Sequence, residues 1–186
     1  MTKMIRSIIL GAALLPLFAN AQLVSQGTVK IGKDEKKGFI AACKNSRKDI
    51  QEVLNAKMKE ANLVKHNKKK GFYTYKGVMW TVASPNKIDL YYAVKGKKKR
   101  AKVYLVASKG YDNYITDVSD ATAAGSISTF LQQIDDQADR NIEIKRKEAE
   151  IAKANEKLQA DQSKARKAED DKKKKDQELQ KLKEGA

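Results

Sequence analysis

The chain changes character abruptly near Asp139, and this break limits what each side of it can fold into. From Arg140 to Ala186, 47 residues hold 15 Lys/Arg and 11 Asp/Glu, with no proline, no aromatic residue and no glycine before Gly185. Such a stretch has too little apolar surface to bury a core of its own. Its larger apolar residues are diluted with alanine and do not hold the register of a strong coiled coil. Opposite charges recur four apart, as in Glu143 with Lys147, Glu169 with Lys173 and Asp171 with Lys175, each pair adding about 0.2–0.5 kcal/mol to a helix. The expectation for 140–186 is a solvated, semi-rigid helical tail that frays toward Ala186. A weak coiled coil, through which the chain would oligomerise, and partial disorder are the alternatives.

A core must therefore come from 22–139. These 118 residues hold all the aromatic residues beyond Phe18 and 22 Lys/Arg against 12 Asp/Glu, a net charge of +10. That length suits one compact basic domain. Thr28 to Ile31 reads as a short extended stretch, with a second near Phe39 to Ala42. Ser46 followed by Asp49 is a variant of the capping box. Ile50, Val53, Leu54, Met58 and Ala61 then recur at helical spacing, predicting a helix from about Ser46 to Ala61. Phe72 to Ala83 is rich in β-branched and aromatic residues, with Gly77 as a bulge or a turn. Ser84-Pro85-Asn86 reads as a turn. Ile88 to Lys95 and Val103 to Ala107 alternate as half-buried strands around Gly96-Lys97-Lys98-Lys99, and Tyr114 to Val118 adds a short one. Ser119 is placed to cap a second helix whose stripe is Ile127, Phe130, Leu131, Ile134 and Ala138. The predicted fold is α+β: a small antiparallel meander sheet, wet on one face and packed by two helices on the other, followed by the long charged C-terminal helix.

The first 21 residues read as a cleavable signal peptide. Lys3 and Arg6 precede an apolar run, Ile8 to Phe18, and Ala19-Asn20-Ala21 supplies a small-x-small cleavage site before Gln22. As a helix that run spans about 16 Å, against a hydrocarbon core of about 30 Å. No cysteine follows it to carry a lipid, and no window after Gln22 is apolar enough to span a bilayer. The expected location is periplasmic or extracellular. The single cysteine, Cys43, cannot make an internal disulfide, and following Ile40, Ala41 and Ala42 it is read as a buried apolar residue.

Chemistry-bearing motifs are scarce. His66 is the only histidine and sits among lysines, so no His-based metal site is expected. No nucleophile elbow, phosphate loop or dinucleotide turn occurs, and neither a catalytic residue nor a cofactor is expected. Asp112, Asp117 and Asp120 are read as loop and cap residues.

Basic charge is the feature with functional reach. Lys68-Lys69-Lys70 and Lys97-Lys98-Lys99-Arg100 are the densest runs in the domain, with Phe72, Tyr73 and Tyr75 beside the first. If Phe72 to Ala83 is one strand, the meander brings both runs to one end of the sheet as an anion-binding rim. If Gly77 is a tight turn, they separate. Export removes nucleic acid from the expected partners, despite a pI of about 9.7. An anionic envelope component remains, whether lipid head group, lipopolysaccharide, glycan or acidic protein. The expectation is a non-enzymatic binding module; the alternative is a structural or chaperone-like envelope protein acting through its C-terminal helix.

Overall fold

The computed structural model describes residues 24–64 and 66–184, and the expected signal peptide lies outside the described residues. The elements in chain order are β1 (Val24–Ile31), β2 (Asp34–Ala42), α1 (Arg47–Glu60), β3 (Asn67–Lys69), β4 (Phe72–Trp80), β5 (Ser84–Gly96), β6 (Ala101–Ser108) and α2 (Ala121–Glu184). All strands join one antiparallel sheet in the order β1-β2-β6-β5-β4-β3. β3 to β6 run as a meander, and α1 is the crossover that lets β2 pair with β6. The class is α+β, with a long charged C-terminal helix.

Register decides what the helices cover. Tyr73, Tyr92, Leu105 and Phe39 lie side by side across β4, β5, β6 and β2, and strand alternation sends them to the same face. That face packs against Ile50, Val53, Leu54 and Met58 of α1 and Ile127, Leu131, Ile134 and Ala138 of α2. Each fully buried aliphatic or aromatic side chain is worth about 1.5–3 kcal/mol. α1 starts where its sequence pattern predicts: the Ser46 hydroxyl accepts the Asp49 N–H.

The other face is not simply wet. Val29, Ile31, Phe72, Ala93 and Val106 form a second small core there. Its cause is coiling of the sheet. The register puts Gly32 and Lys70 at opposite edges and opposite ends, yet the Lys70 side chain lies against Gly32, as only a strongly coiled sheet allows. Gly38 permits the curvature, since a Cβ there would lie 2.5 Å from the Leu105 carbonyl oxygen and 2.7 Å from Val106 Cγ2. Lysine stems finish the cover. Lys36 Nζ lies 5.8 and 5.4 Å from the ring centres of Tyr91 and Tyr114, and Lys95 Nζ lies 5.3 and 5.1 Å from those of Phe72 and Tyr104.

Three local expectations shift. The β4–β5 turn falls at 81–83, and β5 already begins at Ser84, because Ser84 pairs with Trp80 at the end of the ladder. Tyr114 makes a single bridge to Ser108 rather than a strand. Asp120, not Ser119, accepts the Ala123 N–H at the start of α2, while the Ser119 hydroxyl accepts the Thr116 N–H.

α2 runs unbroken for 64 residues, about 96 Å at 1.5 Å per residue. Ala138 is its last buried residue among the described side chains, and beyond it Lys145 grips Glu52 of α1 at 2.8 Å. No helix among the described residues is long and apolar enough to cross a membrane.

One buried carboxylate ties α2 to the rest. Asp135 is fully buried and accepts the backbone N–H groups of Lys44 (2.9 Å) and Asn45 (3.2 Å) and the Asn45 side-chain amide (2.8 Å). Asn45 also donates to Asp139 at 2.8 Å. A buried donor left unpaired costs about 1–3 kcal/mol. Asp135→Ala orphans several donors at once and is expected to lower unfolding stability by about 3 kcal/mol, read as a lower urea midpoint at unchanged slope.

Candidate functional site

The ladder between β5 and β6 continues to Gly96 opposite Ala101, which leaves residues 97–100 as a tight turn. Backbone hydrogen bonds dock that turn onto the β2–α1 loop. The Arg47 N–H donates to the Lys97 carbonyl (3.3 Å), Arg100 N–H to Lys44 (3.3 Å) and Ala101 N–H to Asn45 (3.0 Å). Lys97 and Lys98 are thereby held beside the first turn of α1.

Between them lies a groove of about 780 Å³. Arg47, Lys48, Lys97 and Lys98 supply four cations to its lining, and none of them is in an ion pair among the described residues. Gln51, Glu52 and Asn55 continue the wall along α1, and Tyr73 lies at the sheet side. Glu52 is the one acid in the lining, and Lys145 holds it with both carboxylate oxygens at 2.8 and 2.9 Å. That hydrogen bond raises the Lys145 ammonium above its ordinary pKa. The α1 N-terminus adds little, since Ser46 and Lys97 already occupy two of its N–H groups.

The aromatic floor is layered. Tyr73 stacks on Tyr92 with ring centres 4.9 Å apart and planes 15° apart, and Tyr75 stacks on Tyr92 at 6.1 Å. His66 meets Tyr73 edge-on at 4.8 Å, and Lys68 Nζ lies 5.3 Å from the Tyr73 ring centre. Burial, reinforced by Tyr75, pushes the Tyr92 phenol far above its usual range. It therefore stays protonated and donates to Asn55 Oδ1 at 3.1 Å, where Gln51 also donates at 2.9 Å.

Gly77 is a bulge inside β4, at a register shift and with φ of 59°, so β4 is one strand and both basic runs meet at one end of the sheet. They do not form a rim of seven equivalent cations. Lys68 lies over the Tyr73 ring, and Lys97 and Lys98 line the groove that Tyr73 also borders. Lys69 pairs with Phe72 and alternation sends it to the other face, while Lys70 lies against Gly32. Lys99 and Arg100 are exposed in the turn. Of the aromatic neighbours only Tyr73 lines the groove; Tyr75 is buried beneath Tyr92, and Phe72 belongs to the second core. Arg47, Lys48, Gln51, Glu52 and Asn55 carry no motif, because a polar helix face is the default for any amphipathic helix. Only the docking of two loops distant in sequence reveals them.

No group of three or more His, Cys, Asp or Glu side chains able to hold a metal occurs among the described residues. Comparison with family models, curated proteins and solved structures found no match.

Cys43 is buried, and burial, reinforced by Asp135, pushes its thiol up to about 12. Thiolate is the reactive form. At pH 8 the native protein is expected to alkylate with iodoacetamide about 10³-fold more slowly than an exposed cysteine. Labelling in guanidinium chloride should follow global unfolding; labelling at the free-thiol rate in buffer would contradict the burial.

Proposed function

We propose that the protein is an exported, non-enzymatic binding module that holds an anionic component of the cell envelope in the groove between α1 and the β5–β6 turn. The carrying observation is the gathering of Arg47, Lys48, Lys97 and Lys98 around one concavity whose only carboxylate is already held by Lys145. Like charges placed this close repel one another and are relieved by an anion between them. All four cations are exposed, so a single contact with an anion contributes little and binding depends on several of them acting together. Export supports envelope anions over nucleic acid as the ligand.

The whole chain carries a formal net charge of +16, so attraction to any polyanion needs a control. Inorganic tripolyphosphate binding by the mature chain is expected to fall at least tenfold in the double variant Lys97→Ala/Lys98→Ala. It should fall less than twofold in Lys172→Ala/Lys173→Ala, which removes the same charge from the tail. Equal losses in the two variants would leave net charge, not the groove, as the cause.

A second reading gives the helix beyond Ala138 the working role. Ile144, Ile151 and Leu158 are exposed and stand seven residues apart, the spacing of one position in a coiled-coil heptad. We propose a second copy of the chain as the partner for this stripe, in a weak association because alanine, lysine and aspartate fill the alternate positions. Sedimentation of the mature chain should then show a concentration-dependent dimer that Ile151→Asp abolishes; a monomer at all concentrations removes this reading.

A further inference from the structure

We infer that the ligand of this groove is an anionic saccharide, a sugar ring bearing carboxylate or phosphate, rather than a bare anion or a membrane surface. The inference rests on the anion-binding reading above. It comes from the polar groups that continue the α1 wall beyond Arg47 and Lys48, which a bare anion would not use.

Gln51 and Asn55 stand one helical turn apart on that wall and are joined through Asn55 Oδ1. That oxygen accepts from both Gln51 and Tyr92, which orients both amides. Gln51 Oε1 and the Asn55 amide nitrogen have no protein partner among the described residues. One accepts and the other donates, which matches neighbouring sugar hydroxyls, each both donor and acceptor. Glu52 adds acceptor oxygens, while Lys145 balances its charge against an anionic ligand. Tyr73, stacked on Tyr92 and half-buried, adds an apolar edge to the lining beside these polar groups. A few placed polar groups over an aromatic floor are the ordinary makeup of a site for a small organic ligand.

A bilayer is a poorer fit. Attachment to a surface takes exposed apolar residues as well as cations. Val64, Met79, Tyr111 and Val118, the large exposed hydrophobics of the domain, are all absent from the groove's lining. The site is concave, and it offers directional partners where a lipid surface would need only charge.

The test is calorimetry on the full mature chain with four probes: a short oligogalacturonide, its carboxyl-reduced neutral counterpart, inorganic tripolyphosphate, and phosphatidylglycerol vesicles. The oligogalacturonide is expected to bind, and the neutral counterpart at least tenfold more weakly. Gln51→Ala, at a helix surface position where the fold is not at stake, should weaken the oligogalacturonide about fivefold and leave tripolyphosphate unchanged. Tyr73→Leu should act in the same direction. If Gln51→Ala and Tyr73→Leu both leave oligogalacturonide binding unchanged, or if tripolyphosphate or vesicles bind through Lys97 and Lys98 while the saccharide does not, the saccharide assignment falls and the anion reading stands. If no anionic probe responds to Lys97→Ala/Lys98→Ala, both fall.

Discussion

Asp135 is the contact on which the arrangement turns. Its carboxylate reaches from α2 to the two amides that lead out of β2, and the carbonyls of those same residues hold the β5–β6 turn. Three segments far apart in sequence are therefore fixed by one side chain and one short loop. A buried carboxylate is tolerated only where hydrogen bonds replace its water, and here the donors are the backbone that shapes the groove. Packing of α1 and α2 on the sheet provides the bulk of the stabilisation. The carboxylate decides where the loop goes.

The elements were legible where periodicity was strong. Ile50 to Met58 and the alternation through Ile88–Val94 and Val103–Ala107 carry their structure in their spacing, because one face of each had to be buried. The β1–β2 hairpin was only partly legible. Thr28 to Ile31 shows its extended character, but Asp34 to Lys37 is a run of charges that no strand pattern would select, and pairing with β1 supplies the order instead. The second core was hidden for a related reason. Val106, Ala93 and Phe72 fall on the face that alternation assigns to water, and coiling of the sheet buries them. Coiling is a property of the whole ladder and leaves no mark in a window of ten residues.

The candidate site divides in the same way. Lys97 and Lys98 stood out as charge in a turn, and the single-strand reading of Phe72 onward placed Lys68 near them. The other wall of the groove was invisible, since Arg47, Lys48, Gln51 and Asn55 look like any solvated helix face. Lys69 and Lys70 mark the converse limit. A run of three lysines in sequence is three different environments once it crosses a strand end and a turn: a ring, a sheet face and a glycine.

α2 passes from core to solvent as one uninterrupted helix, with no glycine or proline hinge after Gly125. Domain and arm are thus mechanically a single body over the first turns beyond Ala138. A sideways load on the far end would act through a long lever, with the Lys145–Glu52 clasp bearing first and the Asp135 anchor next. Both fastenings adjoin the groove: Glu52 lines it, and Asp135 holds the loop that forms its edge. Whatever grips the arm would therefore transmit torque to that wall of the groove.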